Sequence, residues 1–361
     1  ALVKDGTWLP DTVIEREDLV RLAKQSGEKI HIGDLMTICS IKYYEKDESF
    51  WKYKGRIVFR GDCVKDEHGH AAVFNELSSS PTNVPDTNST IAYGLCPGHK
   101  VSCADAVRAY IQSELGTKTE TWVLVPRELW PSKWGDRFTR PMCRLIKSLY
   151  GHPESGGWWE RHLTRAIVTL KGVPVSGHPS VFFFKEQRLL LNVYVDDLMI
   201  AGDDSKHESF WKALRAIPIE LEDPEPLGRF LGREHPVSVS GALVSNQAAS
   251  TVRLHTVAFE MSDYARSAVE LYTQYTGIVK FKHATTPFVP DGSLVYADDD
   301  VVGDLAPHAC SMLMKLLWLG RLSRPDLLKP ASDLATRMTK WSKNNDRELF
   351  RLVCYVNATV Y

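Results

Sequence analysis

The sequence predicts an α+β fold, on three observations. Residues 53–60 (YKGRIVFR) alternate basic and apolar side chains at the two-residue period of a half-buried strand. Two apolar runs, 189–194 and 198–201, are separated only by Val195-Asp196-Asp197, which reads as a β-hairpin with acids at its tip. Trp159, Leu163, Ile167 and Leu170 recur at spacings of four, four and three, the period of an amphipathic helix that Gly172 closes.

The other elements follow from the same patterns. Residues 14–25 read as a short amphipathic helix with Leu19, Leu22 and Ala23 on one side, and 29–44 as strand material. Residues 62–70 form a charged loop, and 83–94 a helix before the Pro97-Gly98 turn. Residues 100–107 read as a strand feeding a helix, while 120–131, with its Trp and Pro residues, reads as extended and peripheral. Beyond the short run 181–184, residues 209–216 read as helical and 230–235 as a tight element. A long amphipathic helix is expected over 257–275, ended by Gly277, and three more over 312–322, 332–341 and 348–356.

With 361 residues and 43% hydrophobic content, the chain has material for two or three packed domains, and disorder is not the expectation. A net charge of −1 does not announce a polyanion binder. The charge is uneven, however: residues 312–361 hold nine Lys/Arg against four Asp/Glu, either a phosphate-tracking face or an ordinary basic helix surface. Asp298, Asp299 and Asp300 read as a solvated loop. Seven cysteines, an odd number without a CxxC pair, predict reduced thiols in an intracellular protein and argue against a disulfide framework or a zinc site. His68-Gly69-His70 reads as a polar loop. No stretch approaches the roughly 18 apolar residues of a membrane span. Ala1-Leu2-Val3-Lys4 lacks the build of a secretory signal, and without an initiator Met it suits a piece of a longer polyprotein.

Tyr194-Val195-Asp196-Asp197 carries the chemistry. Two adjacent carboxylates between apolar strands must shift their proton affinity or find a counter-charge. Mg²⁺ is one solution, since it takes carboxylate oxygens together with substrate phosphates. A two-metal site needs a further carboxylate from another strand, and Asp105, at the end of a strand-like run, is the candidate. Taken as a dipeptide alone, Asp196-Asp197 also suits a plain polar turn.

The landmarks around it decide between these readings. YVDD within LLLNVYVDDLMIAG resembles the polymerase motif of LTR-retroelement reverse transcriptases. Tyr53-Lys54-Gly55-Arg56-Ile57-Val58 resembles the YKARLV of copia-type fingers, and the run from Asp105 to Ile111 the DVxxAFL that carries the first catalytic Asp. Lys147-Ser148-Leu149-Tyr150-Gly151 matches the KSLYG of the next motif, and Phe230-Leu231-Gly232 resembles the FLG primer grip. Thr286-Pro287 and Ser323-Arg324-Pro325-Asp326 resemble the TP and TRPD landmarks downstream, so the resemblance to the Ty1/copia type runs from about Lys52 to Thr359.

The resemblance implies a right-hand polymerase fold: a palm with an antiparallel sheet and helices on one face, plus fingers, thumb and a connection-like region. It implies an N-terminal extension over 1–41, fingers over 42–98 with an insertion at 116–150, and palm over 99–115 and 151–235. Thumb would span 236–311 and the connection-like helices 312–361. The implied activity is RNA-directed DNA polymerase, and the alternative is a decayed or domesticated palm that binds nucleic acid without polymerising. Asp105, Asp196 and Asp197 would hold two Mg²⁺ ions, with Mn²⁺ as a substitute and the Ala106 carbonyl as a backbone ligand. Lys54, Arg56 and Arg60 would neutralise the dNTP triphosphate, Tyr110 would exclude a ribose 2′-hydroxyl, and Phe230, Leu231 and Gly232 would grip the primer. Glu154 stands where the family's LYGLKQ has a Gln that contacts the nucleotide. Implied partners are an RNA or DNA template with its primer and dNTPs, and no membrane. Integrase and RNase H segments of a Pol polyprotein are expected outside this chain. The implied location is a cytoplasmic virus-like particle, or the nucleus. Trp159 reads as a core residue rather than a base-stacking platform.

Overall fold

The structure, a computed structural model, describes residues 2–42, 48–74, 79–244, 250–290 and 292–360. Tyr43 and Tyr44, at the end of the expected strand 29–44, lie outside them. The chain divides into two units, Ala1–Pro226 and Leu227–Tyr361. In chain order the first unit runs β1 (Trp8–Glu15), α1 (Arg16–Ser26), β2 (Ile30–Lys42), β3 (Lys52–Phe59), α2 (Val84–Gly94) and β4 (His99–Asp105). It continues with β5 (Glu120–Leu124), β6 (Pro141–Leu145), α3 (Ser155–Thr169), β7 (Val173–Pro174), β8 (Val181–Phe184) and β9 (Leu189–Tyr194). It closes with β10 (Asp197–Asp203), α4 (His207–Ala216) and β11 (Glu225–Pro226).

These strands form a five-stranded sheet, β1-β6-β5-β2-β3, and a six-stranded sheet, β11-β4-β10-β9-β8-β7. In the first sheet, residues 2–41 supply β1, α1 and nearly all of β2, and Trp8 and Leu35 pack in the core with Phe59, Val123 and Trp134. One expectation is corrected in this sheet: 120–131 is not peripheral, since β5 is the central strand, parallel to β2 and antiparallel to β6, with Val123 fully buried. Thr121, Val123 and Val125 alternate inward, a period-two signal that the neighbouring Trp and Pro residues obscured.

In the second sheet, five consecutive residues of β10 are buried, because helices cover both faces rather than the single face expected. Leu198 and Ile200 pack with Trp159, Leu163 and Ile167 of α3 and with Phe210 and Leu214 of α4. Met199 and Ala201 point the other way, toward α2, where a Cβ on Gly94 would lie 3.3 Å from Ala201. The helix expected after 107 is only a 3₁₀ turn, Ala109–Gln112.

The second unit opens with two hairpins, β12 (Arg229–Phe230) with β13 (Arg233–Glu234) and β14 (Val237–Val244) with β15 (Ser250–Val257). Helices α5 (Ser262–Thr276), α6 (Ala309–Leu322), α7 (Leu328–Ala335) and α8 (Lys343–Ala358) pack on one another. Helix α5 begins later than the periodicity of 257–275 suggested, since Val257 remains paired with Val237 in the hairpin. Helix α8 is longer than expected, because Ser342 and Asn345 form a reciprocal capping box at its start.

Several basic residues of 312–361 are tied up inside this unit: Arg337 pairs with Glu348 at 2.8 Å, Lys329 with Asp333 at 2.5 Å and Arg347 with Asp298 at 2.5 Å. Asp298 and Asp299 therefore dock on α8, Asp299 accepting from Asn344 Nδ2 at 2.7 Å, rather than floating as a solvated loop. Among the described residues no helix is long and apolar enough to cross a membrane. All seven cysteines are free thiols.

Candidate active site

The antiparallel register of β4 and β10 sets Asp105 directly opposite Asp197. Directly opposed residues have Cβ atoms about 4.5–5.5 Å apart, so the two carboxyl groups share one face of the sheet. Their side chains are hydrogen-bonded, and burial pushes the Asp197 carboxyl up to about 7, with the charges of Asp105 and Asp196 acting in the same direction. Burial also raises Asp196, and Asp105 adds to it, while the Asp196 backbone N–H, Lys54 and Arg56 pull it back. Cys103, two residues before Asp105, is pushed up to about 12 by burial and by the Asp197 and Asp105 charges.

Asp196 sits in the two-residue turn between Tyr194 and Asp197, after Val195. Val195 has φ +59°, a left-handed backbone that a β-branched residue rarely takes. Two hydrogen bonds hold the turn: the Trp159 indole N–H donates to the Val195 carbonyl at 2.7 Å, and the Ala106 N–H donates to the Asp196 carbonyl at 2.7 Å.

Strand β3 carries the cationic side. Ile57 and Phe59 pack inward, so the alternation leaves Lys54 and Arg56 exposed on the opposite face, and both charges act on Asp196. Arg60 is engaged elsewhere, with Asp62 at 3.0 Å. Tyr110, in the 3₁₀ turn after β4, is half-buried, its phenol raised by burial and by Asp196. The Tyr150 ring lies against it with centroids 4.5 Å apart, and burial followed by the Asp196 and Tyr110 charges pushes Tyr150 up to about 12.

The Tyr150-Gly151 segment is fastened to β3, with the Phe59 N–H donating to the Tyr150 carbonyl at 2.7 Å. Gly151, at φ +88°, is required there, because a Cβ would lie 2.0 Å from the Phe59 carbonyl oxygen. Sequence reasoning missed Tyr150 and the role of Trp159. Tyr150 had a signal, its place in KSLYG, whereas the hydrogen bond of Trp159 has none at sequence level.

The structure does not present Glu154 to a ligand. Its residue is 3% exposed, and its carboxylate accepts from Trp158 Nε1 at 3.5 Å. Phe230, Leu231 and Gly232 belong to the second unit, in a hairpin whose two turn residues, Leu231 at φ +51° and Gly232 at φ +78°, make a type I′ turn. The downstream landmarks serve as clasps in the same unit. Arg324 grips Asp326 with two bonds of 3.0 and 2.8 Å and reaches Thr359, and Arg351 Nε donates to the Thr286 carbonyl at 2.9 Å.

Among the described residues, no three His, Cys, Asp or Glu side chains are arranged to hold a metal ion. The donor set offered is the Asp105–Asp197 pair, with Asp196 beside it on the turn. Its chemistry fits a hard divalent cation: oxygen donors only, and a mutual repulsion that a cation would relieve.

The chain belongs to the family described as reverse transcriptase (RNA-dependent DNA polymerase), which matches residues 37–269. Among curated proteins it is 23% identical over 326 residues to the retrovirus-related Pol polyprotein from transposon RE1 of Arabidopsis thaliana, covering 88% of this chain and 20% of that protein. The corresponding polyprotein from transposon RE2 of the same plant is 27% identical over 202 residues, covering 54% of this chain and 13% of that protein. The chain thus spans a fifth or less of the relatives it matches.

Proposed function

We propose that the chain extends a nucleic-acid primer on an RNA or DNA template, joining dNTPs by two-metal nucleotidyl transfer. The observation that supports the reading is the pairing of Asp105 with Asp197 across β4 and β10, with Asp196 on the adjoining turn and the Lys54 and Arg56 charges acting on it. In this reading the six-stranded sheet is the palm and the five-stranded sheet belongs to the fingers. Thumb and connection-like region come from the second unit, which by compactness also takes in the primer-grip hairpin.

Asp105, Asp196 and Asp197, with the Ala106 carbonyl, would hold the cations. When bound, Mg²⁺ or Mn²⁺ neutralises the carboxylates, favours ionisation of the primer 3′-hydroxyl and stabilises the leaving pyrophosphate. Lys54 and Arg56 bind and orient the triphosphate, as cations on an exposed strand face match phosphate oxygens. Tyr110, braced by Tyr150, forms a floor under the sugar that leaves no room for a 2′-hydroxyl. The alternative of a palm that no longer polymerises drew on Glu154. With that side chain buried and turned to Trp158, the acid no longer argues for it.

Primer extension on an RNA template with dNTPs and Mg²⁺ tests the proposal. Product is expected from the native chain, and none from Asp196→Asn, while template–primer affinity stays within about twofold. A cooperatively folded native chain that binds template–primer but adds no nucleotide would overturn it.

A further inference from the structure

We propose that Trp159 is the positioning residue of the acid turn: its indole N–H holds the Val195 carbonyl, fixes the left-handed Val195 backbone and so aims Asp196 and Asp197 at a shared divalent cation. Three observations carry this. The turn contains a β-branched residue at φ +59°, a conformation that persists only when its surroundings impose it. Each of the two turn residues has one carbonyl bond that could impose it, from Trp159 to Val195 and from Ala106 to Asp196, both at 2.7 Å.

The donor itself is immobilised. Trp159 is 2% exposed among Leu163 and Ile167, and its helix is fastened at the start by the Leu149 N–H donating to Ser155 Oγ at 2.9 Å. A small cavity of about 20 Å³, lined by Pro81, Gly156, Trp159, Leu163, Phe182 and Val195, lies beside the hydrogen-bonded pair, so the directional bond adds to van der Waals contact in restraining Val195. An N–H on any buried carbonyl would satisfy an indole; this one falls on the residue before the acids.

The inference rests on the acids binding a cation, as the nucleotidyl-transfer reading requires, and a double-mutant cycle of Trp159→Phe and Val195→Gly tests it. Mn²⁺ affinity is read by electron paramagnetic resonance without nucleotide, template–primer affinity by fluorescence anisotropy, and kcat by primer extension. Trp159→Phe keeps an apolar ring and removes the donor. About a tenfold loss in Mn²⁺ affinity and in kcat is expected, the worth of one hydrogen bond, with template–primer affinity unchanged. In the Val195→Gly background the same substitution should cost under threefold, because glycine takes a positive φ without strain. Equal losses in both backgrounds, or none in either, would overturn the proposal.

Should Trp159→Phe fail to melt cooperatively, Val195→Gly alone still decides. Mn²⁺ affinity within twofold of the native chain is expected, since the indole still pins the turn. A tenfold loss would show that the Val195 side chain holds it instead. If the Mn²⁺ results follow the cycle while the native chain extends no primer, the polymerase reading fails and the positioning role stands.

Discussion

Replacing Asp197 by Asn should make the metal-free protein more stable at pH 8 while removing a proposed metal ligand. The carboxyl is displaced from an ordinary 3.8 to about 7. Three pH units at about 1.4 kcal/mol each set a ceiling near 4 kcal/mol. Asp197 is only half-buried and Asp105 is exposed, so solvent screening reduces this to about 1–2 kcal/mol. At about 2–4 °C per kcal/mol for a unit of this size, the Asn variant should melt about 2–8 °C higher at pH 8.

The direction in pH follows from linkage. A carboxyl that titrates higher in the folded state favours folding below its unfolded value, and this contribution is lost as pH rises through about 7. The native chain should therefore lose melting temperature between pH 5 and pH 8 relative to the variant, and the gap should close at low pH. Added Mg²⁺ should narrow it at pH 8 by binding the native pair. Differential scanning calorimetry across that range measures both effects. A variant that melts lower at pH 8, or a gap independent of pH, would refute the reading of Asp105 and Asp197 as a repelling pair.

Tyr110→Ala should raise ribonucleotide over deoxyribonucleotide incorporation by at least about tenfold, and unchanged selectivity in competitive primer extension would dismiss the gate. Gly151→Ala should destabilise the first unit by about 2–4 kcal/mol, because its Cβ meets the Phe59 carbonyl oxygen, and urea melts would register it. Arg324→Lys should cost the second unit about 1–2 kcal/mol by losing the two-pronged grip on Asp326; an unchanged urea midpoint would show that the clasp is idle.

Much of this was legible in the sequence where one local signal sufficed. The apolar runs around Asp196-Asp197 specify a hairpin by themselves, and the helix through Trp159, Leu163 and Ile167 follows from its period. Strand order was not legible, because pairing Asp105 with Asp197 depends on which edges meet, and that is a long-range outcome. Strand β5 reads as peripheral from sequence for a different reason: flanking Trp and Pro residues mask the alternation of Thr121, Val123 and Val125, and its central place depends on β2 and β6. Landmarks and roles also separate. The Gly of KSLYG, the Arg of SRPD and the Thr of TP all do packing or clasping work in the structure, which short motifs alone do not distinguish from ligand contact.

The register that joins β4 to β10 has a consequence for synthesis. While the chain emerges from a ribosome, β4 appears early, but its neighbour arrives only after β5, β6, α3 and β7 to β9 have been made. Until then the face of β4 that joins the α3–α4 core has no permanent cover, since only α2 on the other face precedes it, and the first unit cannot complete its core. A stalled translation product ending before Asp203 would expose an unpaired strand edge, the kind of species that chaperones capture and that aggregates when they do not.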